Sequence, residues 1–150
     1  MKQIVVATDG SPSAQEAVEF GLELAKEHGA DVSFVHVTPP DQFRGGRLAT
    51  HAVAHHETID ESESALQAAA DAAHEAGASY SLERISGEIV ETIVAVADAK
   101  DADLIVVGSR GLNAVTAALL GSVSRGVLGH ARCPVLVVRA ARVPAESASE

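Results

Sequence analysis

The sequence predicts an α/β protein: a single domain with an open parallel five-stranded sheet and helices on both faces. Five short, nearly continuous apolar stretches alternate with segments of helical composition. Strands connected through helices pair in parallel, because each crossover returns the chain to the same end of the sheet. The 150 residues have the size of one domain. We expect this domain to span residues 1–140, and residues 141–150, which lack periodicity, to form a disordered tail.

The first unit is a strand, a turn and a helix. Residues 2–8 are a β-branched apolar run that ends at Asp9-Gly10, which predicts a buried strand followed by a turn. Ser11 is placed to cap a helix that begins with a proline, and Gly29 is placed to end it. Apolar residues three or four apart define one face of this helix, at Ala14, Ala17, Val18, Gly21, Leu22 and Ala25.

The second and third strands follow the same scheme. Residues 32–37 are predicted as a strand that ends at Thr38-Pro39-Pro40, because proline cannot donate to a sheet. We expect an irregular loop over residues 39–50 and a helix over about residues 51–76, which are rich in alanine and acidic residues. Residues 80–85 alternate enough to form the third strand.

The last elements complete the alternation. Ser86-Gly87 are predicted to open a helix, and residues 103–108 are predicted as the fourth strand. A loop rich in small residues follows, then a helix over about residues 122–130 and a fifth strand over residues 134–139. The helix after Ser86-Gly87 has an apolar side formed by Ile89, Val90, Ile93, Val94 and Ala97.

The charge of the chain excludes some classes of partner. The 21 acidic and 11 basic residues give a formal charge of −10, which opposes binding to nucleic acid backbones or anionic lipid. We therefore expect neither nucleic acid nor membrane as a partner. A lysine-poor acidic surface is typical of a halophile with a salty cytosol, but mesophilic proteins can be equally acidic, so both kinds of host stay open.

The cysteine and hydropathy patterns predict a soluble cytoplasmic protein. Cys133 is the single cysteine, which rules out an internal disulfide, and no export pattern precedes the first polar residues. The apolar runs are far shorter than the ~20 residues that a membrane helix needs.

The segment from Gly108 to Ser122 is the most informative for function. Its glycines stand where the chain leaves a strand and where it enters a helix, so main-chain N–H groups there can approach a polyanion. A helix start at Ser122 would offer unpaired N–H groups to a phosphate, although loop glycines and an ordinary cap give the same pattern. Ligands of open parallel sheets bind beyond the strand ends where strand order reverses, so the segments after Thr8 and Val37 are candidates too.

The same segment fits the signature Gly-x2-Gly-x9-Gly-Ser/Thr. With the opening IVVATDGS, the stretch ADLIVVGSRG and the closing GSVSRGVLGHARCPVLVVR, the chain resembles the ATP-binding branch of the universal stress protein family over residues 1–140. The resemblance implies a Rossmann-like fold of the adenine nucleotide alpha hydrolase kind, with strand order 3-2-1-4-5. It also implies a dimeric stress-response or signalling protein that binds ATP, or ADP or AMP, with Mg²⁺ as an accompanying ion.

Site residues are implied by the same resemblance. Asp9 would contact the ribose or hold Mg²⁺ beside the phosphates, which suits a carboxylate, although it could simply be a turn residue. Val37 would present its main chain to adenine. The complete predicted nucleotide-binding set, in which Arg110 is included for its own chemistry and is not required by the family pattern, is Ala7, Thr8, Asp9, Val37, Gly108, Ser109, Arg110, Gly111, Gly121, Ser122, Val123 and Ser124.

The implied homodimer forms through the fifth strand, residues 134–139, which would pair with its copy. An apolar sheet edge needs such a cover to avoid aggregation. Cys133, beside this strand, is predicted to be a packing residue. The alternative function is a nucleotide-free dimeric scaffold of the same fold that interacts with other proteins, and the intact glycine-serine loop favours nucleotide binding over it.

Enzyme motifs are absent from the sequence. It contains no HExxH, CxxC or GxSxG motif, and the glycine loop lacks the Gly-Lys-Ser/Thr ending of a P-loop. We therefore expect no catalytic residue and at most slow ATP hydrolysis. An adenylyl-transferring enzyme would need a further domain or a lysine- or histidine-bearing motif.

Some arginines and histidines leave alternatives open. Arg110 and Arg125 could each form forked hydrogen bonds to phosphate, and Arg125 could equally be a solvated helix residue. His51, His55 and His56 could hold a metal, but a solvated polar face is the better account because no cysteine and no obvious third ligand lie nearby. The other histidines have no evident catalytic partner: His28, His36, His74 and His130.

Overall fold

The computed structural model describes residues 1–40, 48–109 and 120–140, and within residues 48–61 it describes the helical backbone alone. The five strands form one parallel sheet in the order β3-β2-β1-β4-β5. The predicted fold class and strand order are confirmed. Along the chain the elements are β1 (Gln3–Ala7), α1 (Pro12–His28), β2 (Asp31–Thr38), α2 (Leu48–Ala76), β3 (Tyr80–Ser86), α3 (Ile89–Ala99), β4 (Leu104–Gly108), α4 (Ser122–His130) and β5 (Val135–Val138).

The order of the strands reverses at β1. This strand pairs with β2 on one side, where Ala7 lies opposite Val35, and with β4 on the other, where Val6 lies opposite Val106. The crossovers from β1 and from β4 therefore lead in opposite directions, which leaves a crevice between the carboxyl ends of these two strands. We call this region the β1–β4 crevice.

Two hydrophobic cores lie on the two faces of the sheet. Ile4, Val6 and Phe34 pack beneath α1 and α2, whereas Val5 and Ile105 pack beneath α3 and α4. This alternation follows from the two-residue period of a strand. All five side chains are fully buried, and burial of a side chain of this size stabilises the fold by about 1.5–3 kcal/mol.

Helix α1 forms as its sequence predicts. Ser11 Oγ accepts a hydrogen bond from Ala14 N at 3.3 Å, and Gly29 ends the helix in the left-handed conformation with φ 64°. Only glycine adopts this conformation without a steric cost. The whole predicted face is buried, together with Ser13: Ala14, Ala17, Val18, Gly21, Leu22 and Ala25.

The sequence predicts a sheet that helices cover on both faces. The two edge strands are less buried than this prediction implies. Most of β3 is exposed, including Tyr80 and Leu82, and β5 is half-buried along its whole length. An edge strand has one neighbour instead of two. The fully buried core accordingly belongs to the three central strands, β1, β2 and β4.

Two predicted helix starts were wrong. Helix α3 begins at Ile89 after Glu88, because Ser86 still pairs with Thr38 in the β2–β3 register and so belongs to the strand. Helix α2 begins at Leu48 instead of about residue 51. On α3 the fully buried apolar residues are Ile93, Val96 and Ala97, so Val96 takes the place predicted for Val94. The predicted tail, residues 141–150, and Gly45-Gly46 lie outside the described residues.

Candidate functional site

The turn after β1 is held by main-chain and side-chain hydrogen bonds. Thr8 N extends the sheet by donating to Val35 O at 2.9 Å. Next, Gly10 N donates to Thr8 Oγ1 at 3.2 Å, and Ser11 N donates to Asp9 Oδ1 at 2.9 Å. Asp9 is thus a turn residue, and it also sets a carboxylate at the crevice, since Oδ2 takes no part in that bond.

Val37 directs its main chain toward the end of β1. Its side chain is buried beneath α3 and α4, and it lies opposite Ile85 in the β2–β3 register. Because Thr8 N donates to Val35 O, the odd-numbered residues of β2 turn their N–H and C=O groups toward β1. β1 ends at Ala7, which is half-buried. The main-chain groups of Val37 therefore point to the space just beyond β1.

Gly108 ends β4 against the first turn of α1. A Cβ at this position would lie 2.5 Å from Ser13 Oγ and 2.8 Å from Ala14 N. The missing side chain therefore allows α1 to approach β4, and α1 fills the space that the sequence interpretation left for a polyanion. A contact between Gly108 and a ligand would have to come from the main chain.

The base of the connection between β4 and α4 is closed by three residues. Gly121 N donates to Ser109 O at 2.6 Å, and Ser124 Oγ lies 3.2 Å from the same oxygen and 3.0 Å from Gly121 O. Ser109 N donates to Val138 O at 2.8 Å, which ties this base to β5. Ser109 and Ser124 are both buried. The Ser124 hydroxyl therefore links the first turn of α4 to the end of β4.

Helix α4 begins at Ser122, as predicted, with Gly121 as its N-cap. Glycine brings no capping side chain, and no other described residue supplies one. The N–H groups of Ser122, Val123 and Ser124 have no partner one turn earlier in the helix, and the helix dipole adds partial positive charge there. Ser122 is exposed and Val123 is half-buried against the core. This helix start is suited to an anion.

Part of the predicted set lies outside the described residues. Arg110 and Gly111 are in the segment 110–119, and the side chains of His51, His55 and His56 are in the segment 48–61. Arg125 is exposed on α4. The other predicted residues lie at the carboxyl ends of β1, β2 and β4 or at the start of α4: Ala7, Thr8, Asp9, Val37, Gly108, Ser109, Gly121, Ser122, Val123 and Ser124.

One residue beside the crevice had no role in the sequence prediction. His36 is buried, and its Nδ1 lies 2.9 Å from the carbonyl oxygen of Thr8. The signal in the sequence was a titratable residue near the end of a mainly apolar stretch, VSFVHV. Such a residue needs a hydrogen-bond partner when it is buried.

Other features lie away from the crevice. A groove of about 430 Å³ between β3 and α3 includes Ile85 and Val96 and is bordered by the ion pair between Lys100 Nζ and Glu83 Oε1, at 2.6 Å. Cys133 packs against the core, as predicted, and burial raises the pKa of its thiol. Within residues 1–40, 62–109 and 120–140, no three His, Cys, Asp or Glu side chains are grouped to hold a metal ion. None of the helices as described could span a membrane.

The fold and crevice together define a class. A doubly wound parallel sheet, with a turn carboxylate and a glycine-led helix start at its switch point, is typical of Rossmann-like α/β proteins that bind ligands at the carboxyl ends of their strands. The family model described as the universal stress protein family matches residues 1–139. The chain belongs to the universal stress protein family.

Individual relatives agree with this assignment. A universal stress protein of Methanocaldococcus jannaschii is 36% identical over 139 residues, which cover 92% of this chain and 82% of the relative. A universal stress protein solved in complex with cAMP is 30% identical with a TM-score of 0.67, covering 93% of this chain and 98% of its own. The universal stress protein of Archaeoglobus fulgidus in complex with dAMP is 30% identical with a TM-score of 0.69, covering 92% and 98%.

Proposed function

We propose that this protein binds an adenine nucleotide, with ATP preferred, in the β1–β4 crevice, and that the bound nucleotide controls its interaction with a protein partner in stress response or signalling. Two solved relatives at 30% identity contain cAMP and dAMP. These ligands share an adenine base, a sugar and a phosphate. The crevice offers a group suited to each of these parts.

The start of α4 is the observation that carries the proposal. Gly121 N reaches Ser109 O, so α4 begins beside the end of β4 and its first N–H groups lie at the crevice. A phosphate is well matched by such N–H groups and by the dipole of the helix. At α1, in contrast, the Ser11 hydroxyl already accepts from Ala14 N. We therefore assign the phosphates to α4 and not to α1.

The other two parts of the nucleotide fit the neighbouring strand ends. The N–H and C=O groups of Val37, which point past the end of β1, can pair with the polar edge of adenine. Asp9 Oδ2 can accept hydrogen bonds from ribose hydroxyl groups. Gly108 ends the strand next to β1, and Ser109 O accepts from Gly121 N at the start of α4. The main chains of these two residues would therefore line the sugar and the phosphate.

The preference for ATP and the involvement of Mg²⁺ are finer parts of the proposal. The preference rests on the glycine signature that runs from Gly108 to Ser122. Carboxylate and phosphate oxygens are the ligands that Mg²⁺ favours, so Asp9 is the residue that would hold the ion beside the phosphates. The ion would offset phosphate charge, which a chain of formal charge −10 otherwise repels.

The positions of the lysines support slow hydrolysis at most. Lys2 precedes β1, Lys26 lies in the last turn of α1, and Lys100 ends α3. Because the strands run toward the crevice and the helices run away from it, all three lie at the opposite end of the sheet from Asp9. None can neutralise charge that develops on a transferred phosphoryl group. We therefore assign no catalytic residue.

We also propose a homodimer through β5. Val135–Val138 is apolar and half-buried, and it forms one edge of the sheet that the described residues build. The two helices that contact β5 carry exposed apolar side chains, Phe20 on α1 and Leu128 on α4. An apolar edge of this kind is a hazard unless it is covered, and a second copy of the same edge covers it with closed symmetry.

The opposite edge of the sheet differs in a way that supports this choice. In β3, Glu83 pairs with Lys100 and Arg84 pairs with Glu63 at 3.5 Å, so charged residues occupy the middle of the strand. Charged side chains on an edge strand discourage pairing with another chain. β5 is thus the edge that favours association. A cytoplasmic location completes the proposal, because adenine nucleotides are abundant there.

Nucleotide analysis of the purified protein tests the proposal. The protein is denatured and any released nucleotide is identified, and nucleotide-stripped protein is then titrated with ATP, ADP, AMP and dAMP in the presence of Mg²⁺. Adenosine, which lacks phosphate, is the matched control ligand. We expect saturable binding that is strongest for ATP and much weaker for adenosine. Absence of copurified nucleotide, with no binding at about 1 mM, would favour the nucleotide-free scaffold instead.

A further inference from the structure

His36 is a buried polar residue near the carboxyl end of β2. It is 9% exposed and lies two residues after Phe34, on the sheet face that α1 and α2 cover. Its Nδ1 lies 2.9 Å from the carbonyl oxygen of Thr8. A carbonyl oxygen can only accept, so Nδ1 carries the proton in this bond.

Within the described residues, no main-chain N–H group donates to the Thr8 carbonyl, although Thr8 N itself still donates to Val35 O. β1 ends at Ala7, which lies opposite Val35 in the last pair of the β1–β2 register. Thr8 is 6% exposed, and a buried carbonyl without a partner is costly. His36 supplies that partner from its side chain.

This bond stands first in a short series that leads to Asp9. The carbonyl held by His36 belongs to the peptide that joins Thr8 to Asp9. Immediately beyond it, Gly10 N donates to Thr8 Oγ1 and Ser11 N donates to Asp9 Oδ1. Rotation of the Thr8–Asp9 peptide would therefore move the Asp9 carboxylate and break the two bonds that follow.

We propose that His36 is a positioning residue of the nucleotide site: by donating from Nδ1 to Thr8 O, it fixes the peptide before Asp9 and so aims the Asp9 carboxylate into the β1–β4 crevice. This inference rests on the proposed function. His36 itself touches no ligand in this account. It acts through Thr8. Its replacement should disorder the turn that contains Asp9 without unfolding the domain.

Three substitutions separate the hydrogen bond from the packing of the ring. In His36→Asn the side-chain nitrogen can take the place of Nδ1, because both atoms lie two bonds beyond Cβ. In His36→Gln the nitrogen lies one bond further out, at the place of Nε2, and His36→Leu keeps apolar bulk with no donor. Phe34→Leu is the matched control for destabilisation, since Phe34 is fully buried in the same strand and on the same face.

Each variant is examined with two measurements. Hydrogen exchange of the Gly10 and Ser11 amides, followed by NMR in nucleotide-free protein, reports the order of the turn. Calorimetric titration with dAMP reports the site. We expect His36→Leu and His36→Gln to exchange these amides about tenfold faster and to bind dAMP about tenfold more weakly, as the loss of one buried hydrogen bond implies. His36→Asn should stay within about threefold of the wild type in both.

The outcomes distinguish this inference from the proposed function. If His36→Asn is no better than His36→Leu, or if Phe34→Leu has the same effect on the two amides and on dAMP, the positioning role of His36 is overturned. If the wild type binds dAMP and all His36 variants bind equally well, the role is likewise overturned while the proposed function stands. If the wild type itself binds no nucleotide, the proposed function fails, and the role of His36 in a nucleotide site fails with it. The exchange rates then decide only whether His36 orders the Asp9 turn.

Discussion

The hydroxyl group of Ser124 and the carbonyl oxygen of Ser109 lie 3.2 Å apart, which joins the first turn of α4 to the end of β4. Both residues are buried. The same carbonyl accepts from Gly121 N at 2.6 Å, so one oxygen fixes both the N-cap and the first turn of the helix. The position of the helix start, and with it the proposed phosphate site, depends on this contact.

Ser124 and Ser122 should therefore respond differently to alanine. Ser124→Ala removes a buried hydrogen bond and should lower the free energy of unfolding by about 1 kcal/mol. Ser122→Ala alters an exposed hydroxyl and should leave stability within about 0.5 kcal/mol, yet weaken nucleotide binding if that hydroxyl donates to phosphate. Denaturant unfolding and calorimetric titration measure the two effects. Equal stability of the two variants would show that the contact between Ser124 and Ser109 contributes nothing.

Gly108 should tolerate no side chain, for a reason internal to the fold. In Gly108→Ala the new Cβ would meet the main chain of α1, 2.7 Å from Ser13 C and 2.8 Å from Ala14 N. Overpacking of this kind costs about 1–3 kcal/mol of unfolding free energy. Gly129→Ala is the control, because no atom lies within 4 Å of a Cβ there. On α4 it should stabilise by up to about 1 kcal/mol. Thermal unfolding of the pair checks both signs, and an unaffected Gly108→Ala would contradict the close approach of α1 to β4.

Ionisation of the Asp103 carboxyl group, which lies at the amino end of β1, should make the free energy of unfolding depend on pH. Its carboxylate accepts from Lys2 N at 2.6 Å and from Gln3 N at 3.0 Å, and these bonds lower the pKa of Asp103 below its ordinary value of 3.8. A carboxyl group whose pKa is lower in the folded state stabilises fully above the unfolded-state pKa. That contribution is lost as the pH falls through the folded pKa.

The matching experiment compares Asp103→Asn with the wild type. The variant should have a lower free energy of unfolding at pH 7, and the difference should shrink as the pH falls below about 4. Asp31→Asn, at the start of β2, controls for the removal of one negative charge at this end of the sheet. A difference that stays constant from pH 7 to pH 3 would rule out the carboxylate as its cause.

The proposed dimer should depend on one edge of the sheet and not on the other. Leu128 lies on α4, a helix that contacts β5, and Leu82 lies on β3; they are similarly exposed, at 47% and 43%. Leu128→Glu places a charge on a helix that packs against the apolar edge and should dissociate the dimer, whereas Leu82→Glu should not. Sedimentation equilibrium gives the mass of each. A monomeric wild type, or dissociation by Leu82→Glu alone, would exclude β5 as the interface.

Much of this fold follows from local signals. The cap at Ser11, the stop at Gly29 and the glycine before Ser122 give the ends of α1 and the start of α4 correctly, because each acts on the main chain beside it. The start of α3 could not be found in this way. Ser86 resembles a helix cap in sequence, but its pairing with Thr38 on a distant strand keeps it in β3.

The features of the candidate site likewise fall into two groups, those set by the local sequence and those set by contacts between distant elements. The carboxylate of Asp9 and the glycine-led start of α4 are visible in sequence because they belong to a turn and to a helix end. The packing of Gly108 against Ser13 depends on how α1 crosses the sheet. The bond from His36 to Thr8 joins residues on two strands. Contacts of this kind appear only when the chain is folded.

Gly121→Val is the decisive variant for phosphate binding at the start of α4. A β-branched side chain at the N-cap would occupy the place of the phosphate, while the backbone there, with φ −68° and ψ 164°, accepts any residue. Gly129→Val places the same side chain at the other end of the same helix. Calorimetric titration of both nucleotide-stripped variants with ATP and Mg²⁺ should show wild-type affinity for Gly129→Val and no binding for Gly121→Val, with the same oligomeric state in both. Unchanged ATP affinity in Gly121→Val would show that the phosphates do not bind at this helix start.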